Sequence, residues 1–437
     1  MSDEPPPDAP RPSRTRFVLA GWLCALSAVL FLDRICMGQA AQDIQAELGL
    51  SNAELGYVFM AFTIAYGLFE VPTGRLGDRI GARAVLTRVV VWWSAFTALT
   101  GAVVGLKSLL VVRFLFGAGE AGAYPNTARV LSRWFPAAER GRVTGLMLTC
   151  AQLGGAAAPA LTAALIWLAG WRLAFIAFGL VGVVWAVGFR LWFRDDPADH
   201  PRVNAAELAL IRAGTAAPRP HGSIPWRAVA RAPGVWLLAG IVMCSSFNSY
   251  LYFSWFSKYL QDGRGVAKGE AGLLTSLVLL GGAAGMLTGG VLADRVSRTA
   301  DRVRARRRLG AAAYLISAAT LATATTADSP LLLAALAAVG YMALQSTLPT
   351  WWASAIEQSG RNVGALFGLL NTCGILAGVA SQGFVGWFTQ YQADAGATGR
   401  QQWDPILWAY IGVLLAGAAG WTLYRFRPLD DGHEPHH

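Results

Sequence analysis

The chain has 437 residues, of which 54% are hydrophobic and 14% charged, with a mean hydropathy of +0.43. So little polar surface excludes a water-soluble globule of this size. A formal charge of +10 would suit a nucleic-acid partner, but the basic residues gather in alternate loops between apolar runs. That distribution favours an orientation signal beside anionic lipid.

Residues 1–16 are Pro-rich and polar and read as a disordered terminus. Apolar runs long enough to cross a bilayer core follow at 17–37, 54–76, 82–105, 107–131, 141–168 and 171–194. After a polar stretch at 195–232 come 233–260, 269–293, 307–327, 329–355, 362–388 and 405–426. The runs are continuous rather than alternating, which predicts helices and argues against a β-barrel. The expected fold is an all-α membrane protein with twelve transmembrane helices in two pseudo-symmetric six-helix halves. The halves are 17–194 and 233–426, the linker is 195–232, and 427–437 is a tail. Residues 38–53 hold no Lys or Arg, whereas Arg295, Arg298, Arg302, Arg304, Arg306, Arg307 and Arg308 crowd one loop. The positive-inside rule then places both termini and the linker in the cytoplasm.

Between the second and third runs stands GRLGDRIGAR, residues 74–83, and a looser copy, GGVLADR, stands at 289–295. Asp78 and Asp294 are 216 residues apart (294 − 78), the same offset as that between Phe17 and Pro233 at the starts of the two halves (233 − 17). A duplicated half with this loop in each copy points to a two-fold repeat transporter, with its site at the interface of the halves near the midplane.

Ionisable groups inside spans are costly there and so point to function. The first half has Asp33 and Arg34 in its first helix, Glu70 in its second, and Arg113 and Glu120 in its fourth. Arg113 and Glu120 share a face, as do Tyr66 and Glu70. These charges can also be internal pairs that only hold helices together. The matching positions of the second half carry none: Asp33 and Arg34 correspond to Ser249 and Tyr250, and Glu120 to Leu336. That half offers Asn248, Tyr250, Tyr252, Phe253 and Trp255, then Thr350, Trp351 and Trp352, then Asn371 and Thr372 instead, predicting a cavity charged on one wall and neutral and aromatic on the other. The five cysteines lack metal-ligand spacing, and all five histidines fall outside the spans, so neither a metal site nor a membrane His relay is expected.

These residues carry a resemblance. GRLGDRIGAR resembles the signature loop of the major facilitator superfamily. FLDR in the first helix, RFLFGAGEAGAYPNTARVLSRWFPAAERGR through the fourth, GWRLAFIAFGLVGVVWA in the sixth and RDDPADHPRVN after it are similar to the anion:cation symporter family. The resemblance implies import of a small organic anion, such as a sugar acid or other carboxylate, with protons as the coupling ion and no cofactor. It implies that Arg34 meets the substrate carboxylate, that Asp33 and Glu120 take protons with Arg113 holding Glu120, and that Tyr66, Gln152, Trp351 and Asn371 contact substrate. Gly74, Asp78, Arg79, Gly81 and Arg83, with Asp294 and Arg295 in the second copy, would form a conformational latch. Asp78 would cap a facing helix start near Val363. Three departures stand out: Cys36 where Asn is frequent, Glu70 where Gln is common, and Ser257 where Pro is usual. Glu70 is then an extra acid, a rival proton carrier that could add a proton or merely pair with an Arg.

The expectation is therefore a monomeric transporter of the bacterial inner membrane, its partners a small carboxylate, protons and the lipid bilayer. Proton-coupled efflux or anion exchange would fit the same fold, and a non-transporting receptor is a remoter alternative. No nucleophile–base set or phosphate loop is present to support an enzyme.

Overall fold

A computed structural model describes residues 11–213, 226–297, 301–359 and 363–425. Among these every regular element is helical, as a chain without bilayer-exposed backbone partners requires. The first half runs α1 (Thr15–Leu48), α2 (Asn52–Ile80), α3 (Ala82–Thr100), α4 (Leu106–Glu120), α5 (Ala123–Trp134) and α6 (Ala137–Trp192). Helix α6 breaks at Gly170, where the chain reverses and supplies two crossings. Gly154, before the break, packs on Ala28, whereas Trp185, after it, bonds to the Trp22 carbonyl of the same helix α1.

Two short linker helices follow, α7 (Ala205–Ala213) and α8 (Trp226–Arg231). The second half contains α9 (Pro233–Tyr250), continued through π-helical turns at Leu251–Trp255 and Tyr259–Gly263 around the short α10 (Phe256–Lys258). It is completed by α11 (Lys268–Ser297), α12 (Arg302–Thr326), α13 (Pro330–Gln345), α14 (Leu348–Ser359), α15 (Val363–Asp394) and α16 (Gly399–Leu423). Among the described residues nine helical stretches meet the length and hydropathy of a membrane span. The turn inside α6, helix α3 and the broken pair α4–α5 bring the crossings to the expected twelve. The fourth and tenth crossings are each two helices, broken at 121–122 and 346–347, where a single run was expected. Trp167, Leu168, Val184, Leu191 and Leu273 stay exposed, as side chains facing lipid should.

Residues 13–16 are held against the linker. Ser13 donates to Glu207 and Asn204 in the linker, and Glu207 accepts from the backbone N–H groups of Thr15 and Arg16. A linker carboxylate thus caps the first helix, where the N-terminal end of the helix dipole favours negative charge. Residues 1–10 and the tail from 426 lie outside the described residues.

The two halves meet mainly through α2 against α15 and α6 against α11. Contact is tightest at the end of the bundle away from the termini. There Gln39 donates to the Lys268 carbonyl at 3.1 Å and accepts from Ser257 at 2.5 Å, Gln42 donates to Asp262 at 2.8 Å, and Lys268 pairs with Asp43. Along α2, Asn52 donates to Gln390 at 3.0 Å and Thr63 to Gln382 at 2.9 Å. A Cβ on Gly38 would lie 2.8 Å from the Phe253 carbonyl oxygen, so this helix crossing needs glycine. Ser257 does here what proline could not: its hydroxyl joins the two halves.

Candidate functional site

Below this sealed end lies a cavity of about 570 Å3 between the halves. Its wall runs from Arg34, Tyr66 and Tyr250 to Leu131 and Thr144, which sit near the terminus-side ends of α5 and α6. The molecule is therefore closed at the far end and open toward the end that carries the termini.

Arg34 is the cation of the cavity wall, and its Nε donates to Glu120 Oε1 at 2.8 Å while Nη2 reaches the same oxygen. Its guanidinium lies 4.7 Å from the Tyr66 ring centre and 5.3 Å from those of Phe31 and Phe62. Aromatic faces and one carboxylate thus hold a cation that bare hydrocarbon would reject. Arg34, rather than the expected Arg113, holds Glu120. Arg113 is buried with its guanidinium 4.5 Å from the Phe116 ring centre and 5.1 Å from that of Phe62, and among the described residues it makes no ion pair. Sharing a helix face put Arg113 and Glu120 on one side of the fourth crossing, but α1 brings a second arginine to the carboxylate.

Asp33 neighbours Arg34 in sequence yet lies off the cavity wall. It is buried, accepts from Trp93 Nε1 on α3 at 3.2 Å through Oδ2, and leaves Oδ1 without a partner. Arg113 Nε and Glu120 Oε2 are likewise buried and unpartnered. Buried polar atoms are nearly always satisfied, so three orphans among these ionisable groups call for a functional explanation.

The neutral wall comes from the second half. Tyr250, Trp351 and Asn371 line the cavity as expected, opposite Tyr66, Glu70 and Gln152 of the first half. Thr350 and Thr372 do not: Thr350 is fully buried, and Thr372 donates to the Gly368 carbonyl of its own helix. A helical neighbour of a lining residue points about 100° away, which separates these threonines from Trp351 and Asn371. Sequence reasoning missed Ser245, Ser246 and Ser249 as wall residues on α9, Tyr124 on α5 and Gln345 on α13, while Trp352 on α14 lines the wall as expected. The polar run SSFNSY at 245–250 was the available signal. Glu70 accepts from Asn371 Nδ2 at 2.7 Å, so one hydrogen bond joins the halves across the cavity.

The loop residues take several positions. Gly74 packs on Pro125, Arg79 is exposed, and Asp294 and Arg295 are exposed at the end of α11. Gly81 has φ +84°, and a Cβ there would lie 2.8 Å from an Asp195 carboxylate oxygen. Asp195 in turn accepts from the Arg83 backbone N–H at 2.9 Å, and the Arg83 side chain donates to the Arg190 carbonyl. Arg83 thus ties the α2–α3 turn to the end of α6 in its own half, rather than to the other half. The side chain of Asp78, the centre of the expected latch, and that of Val363 lie outside the described residues.

The model of the Major Facilitator Superfamily matches residues 23–382 and 243–435. The chain belongs to the major facilitator superfamily. Within this superfamily it is 32% identical over 383 residues to a probable sulfoacetate transporter of Cupriavidus necator, covering 86% of this chain and 88% of that one. It is 28% identical to the D-galactonate transporter of Escherichia coli O6:H1, covering 88% and 92%. It is 27% identical to a probable galactarate/D-glucarate transporter of Bacillus subtilis, covering 87% of each chain. Such relatives fit the anion:cation symporter resemblance. Among solved structures, a bacterial homologue of the human lysosomal transporter Spinster in an inward-facing, unoccupied conformation superposes with a TM-score of 0.77 at 20% identity, covering 94% and 97%. This major facilitator protein is a multi-pass membrane transporter and not an enzyme.

Proposed function

We propose that the chain imports a small organic anion, a sugar acid or another carboxylate, together with protons, by alternating access across a bacterial inner membrane. Both termini are cytoplasmic in this reading, so the open end faces the cytoplasm, and the unit is a monomer. One observation carries it: in the cavity wall the guanidinium of Arg34 is already shared with the carboxylate of Glu120.

A substrate carboxylate that takes Arg34 displaces Glu120 from its cation. A buried carboxylate without its partner favours the protonated form, so binding of the anion and uptake of a proton become linked. Asp33, with one unpartnered oxygen, is the second proton carrier. Energetically, a monoanion entering a cell at negative potential moves uphill by about 2.3 kcal/mol per 100 mV. One proton cancels that cost and a second makes the potential a driving force. Tyr66, Gln152, Tyr250, Trp351 and Asn371 would orient the rest of the substrate.

The test is uptake of labelled galactonate and sulfoacetate into proteoliposomes, with and without an inward proton gradient. Wild-type protein should accumulate at least one of them only with the gradient. Arg34→Ala should abolish binding, and Arg34→Lys should lose about tenfold or more, because a point charge cannot reproduce the fork of an arginine. Accumulation that ignores the proton gradient would sink the coupling, and unchanged affinity in Arg34→Lys would remove Arg34 from its role.

A further inference from the structure

Arg34 and Glu70 stand on the same cavity wall with opposite charge and different partners. Arg34 is engaged by Glu120, which leaves that pair close to neutral. Among the described residues Glu70 makes no ion pair: its partner is the amide of Asn371, from the other half, at 2.7 Å. Tyr66, whose ring lies 4.7 Å from the Arg34 guanidinium, is one helical turn from Glu70 on α2. The backbone of Glu70 therefore lies about one turn, roughly 6 Å along the helix, beyond that of Tyr66, whose ring backs Arg34. Once Glu120 gives up its cation, the cavity has an anion-accepting pole at Arg34 and an anion-repelling pole at Glu70.

We infer that Glu70 is a specificity residue that restricts the substrate to one carboxylate with a hydrogen-bond donor, hydroxyl or ammonium, at its other end, and excludes dianions. The inference rests on the organic-anion reading above and narrows it. A second carboxylate near Glu70 would meet a like charge between walls of protein, where the repulsion is screened less than in bulk water and grows as the halves close around the ligand. A hydroxyl or ammonium at the same place would donate to Glu70. This is discrimination by a built-in repulsive element. The hydrogen bond from Asn371 fixes the carboxylate where both halves contact the ligand, so the filter acts when the halves close around it.

Two matched pairs test it. Galactonate and galactarate share one carbon skeleton and differ only in a terminal hydroxymethyl or carboxylate, and 6-aminohexanoate and adipate differ only in a terminal ammonium-bearing carbon or carboxylate. Affinity for all four is measured on the purified full-length protein by competition against labelled galactonate or, if that is not bound, by ligand-induced thermal shift. Wild type should favour the monocarboxylate of at least one pair by about tenfold or more. Glu70→Gln keeps an acceptor for Asn371 and removes only the charge. It should shrink that preference about tenfold by admitting the dianion, and Glu70→Ala should shrink it as well. Dianions binding wild type as tightly as their partners, or a preference unchanged in both variants, overturns the filter while leaving carboxylate transport standing. Failure of all four ligands to bind wild type overturns the filter, and with no binding of sulfoacetate either it overturns the organic-anion reading too; sulfoacetate is itself a dianion, so its binding as tightly as galactonate overturns the filter alone.

Discussion

Two neighbouring residues of α1 have different surroundings, and the difference sets their chemistry. Arg34 faces the cavity and holds Glu120, whereas Asp33 faces Trp93 on α3. Glu120→Gln mimics the protonated acid and frees Arg34 for the substrate. The variant should keep binding and counterflow in proteoliposomes while losing pH-driven accumulation. Full gradient-driven accumulation by Glu120→Gln would falsify its assignment as a proton carrier. Glu70 supplied the other acid in the sequence, and the 2.7 Å bond from Asn371 places it at the seam between the halves rather than beside Asp33.

At the scale of elements, α1 and its contacts carry two predictions. Its crossing with the Leu251–Trp255 turn depends on Gly38, whose added Cβ would meet the Phe253 and Ser254 carbonyl oxygens at 2.8 and 2.9 Å. Backbone cannot move aside as a side chain can, so Gly38→Val should oppose closure of the far end. The cost is about 1–3 kcal/mol for such overpacking, enough to shift the balance of states several-fold or more. Spin labels at Ala46 and Glu270, exposed near that end on the two halves, should report a longer distance in the variant than in its parent, and an unchanged distance distribution would contradict the argument. The other prediction concerns the cap on α1. Burial alone would raise the Glu207 pKa, but hydrogen bonds from Ser13, Arg16 and Thr15 outweigh it and hold the carboxyl below its ordinary value. A depressed carboxyl pKa stabilises the fold above the unfolded value, near 4.3, and that contribution is lost as pH falls through the folded value. Glu207→Gln should therefore lower the unfolding temperature at pH 7. The gap from wild type should narrow below about pH 4, and a gap that widens on acidification would reject the cap.

At the scale of the molecule, the structure is closed by Lys268–Asp43, Gln42–Asp262 and Gln39–Ser257 at one end and open at the other. Alternating access requires the converse state, in which the terminus-side ends of the halves meet. We propose that the repeated Asp78 and Asp294 loops belong to that closure. Asp78→Asn removes a charge suited to capping a facing helix start. Substrate affinity in a fixed conformation should survive, while the rate of transport in proteoliposomes should fall by tenfold or more, as expected if about 1.4 kcal/mol of closure energy is lost. Normal transport by the variant would exclude a latch at this position.

Long apolar runs, the repeat at an offset of 216 residues and the charged residues of one half were legible in the sequence because each is a local or periodic property. They determined twelve crossings, two halves, a cavity between them and most of its charged wall. Tertiary structure decided the pairings. Helical spacing placed Arg113 near Glu120, yet Arg34 from α1 took that partner, because contacts between helices depend on how they pack and rotate. The same cause put Thr350 and Thr372 off the cavity and the serines of α9 onto it. The far-end seal was hidden because its members, Gln39, Gln42, Asp43, Ser257, Asp262 and Lys268, are ordinary polar residues near helix ends. They acquire a joint role only when two halves more than 200 residues apart in sequence are brought together.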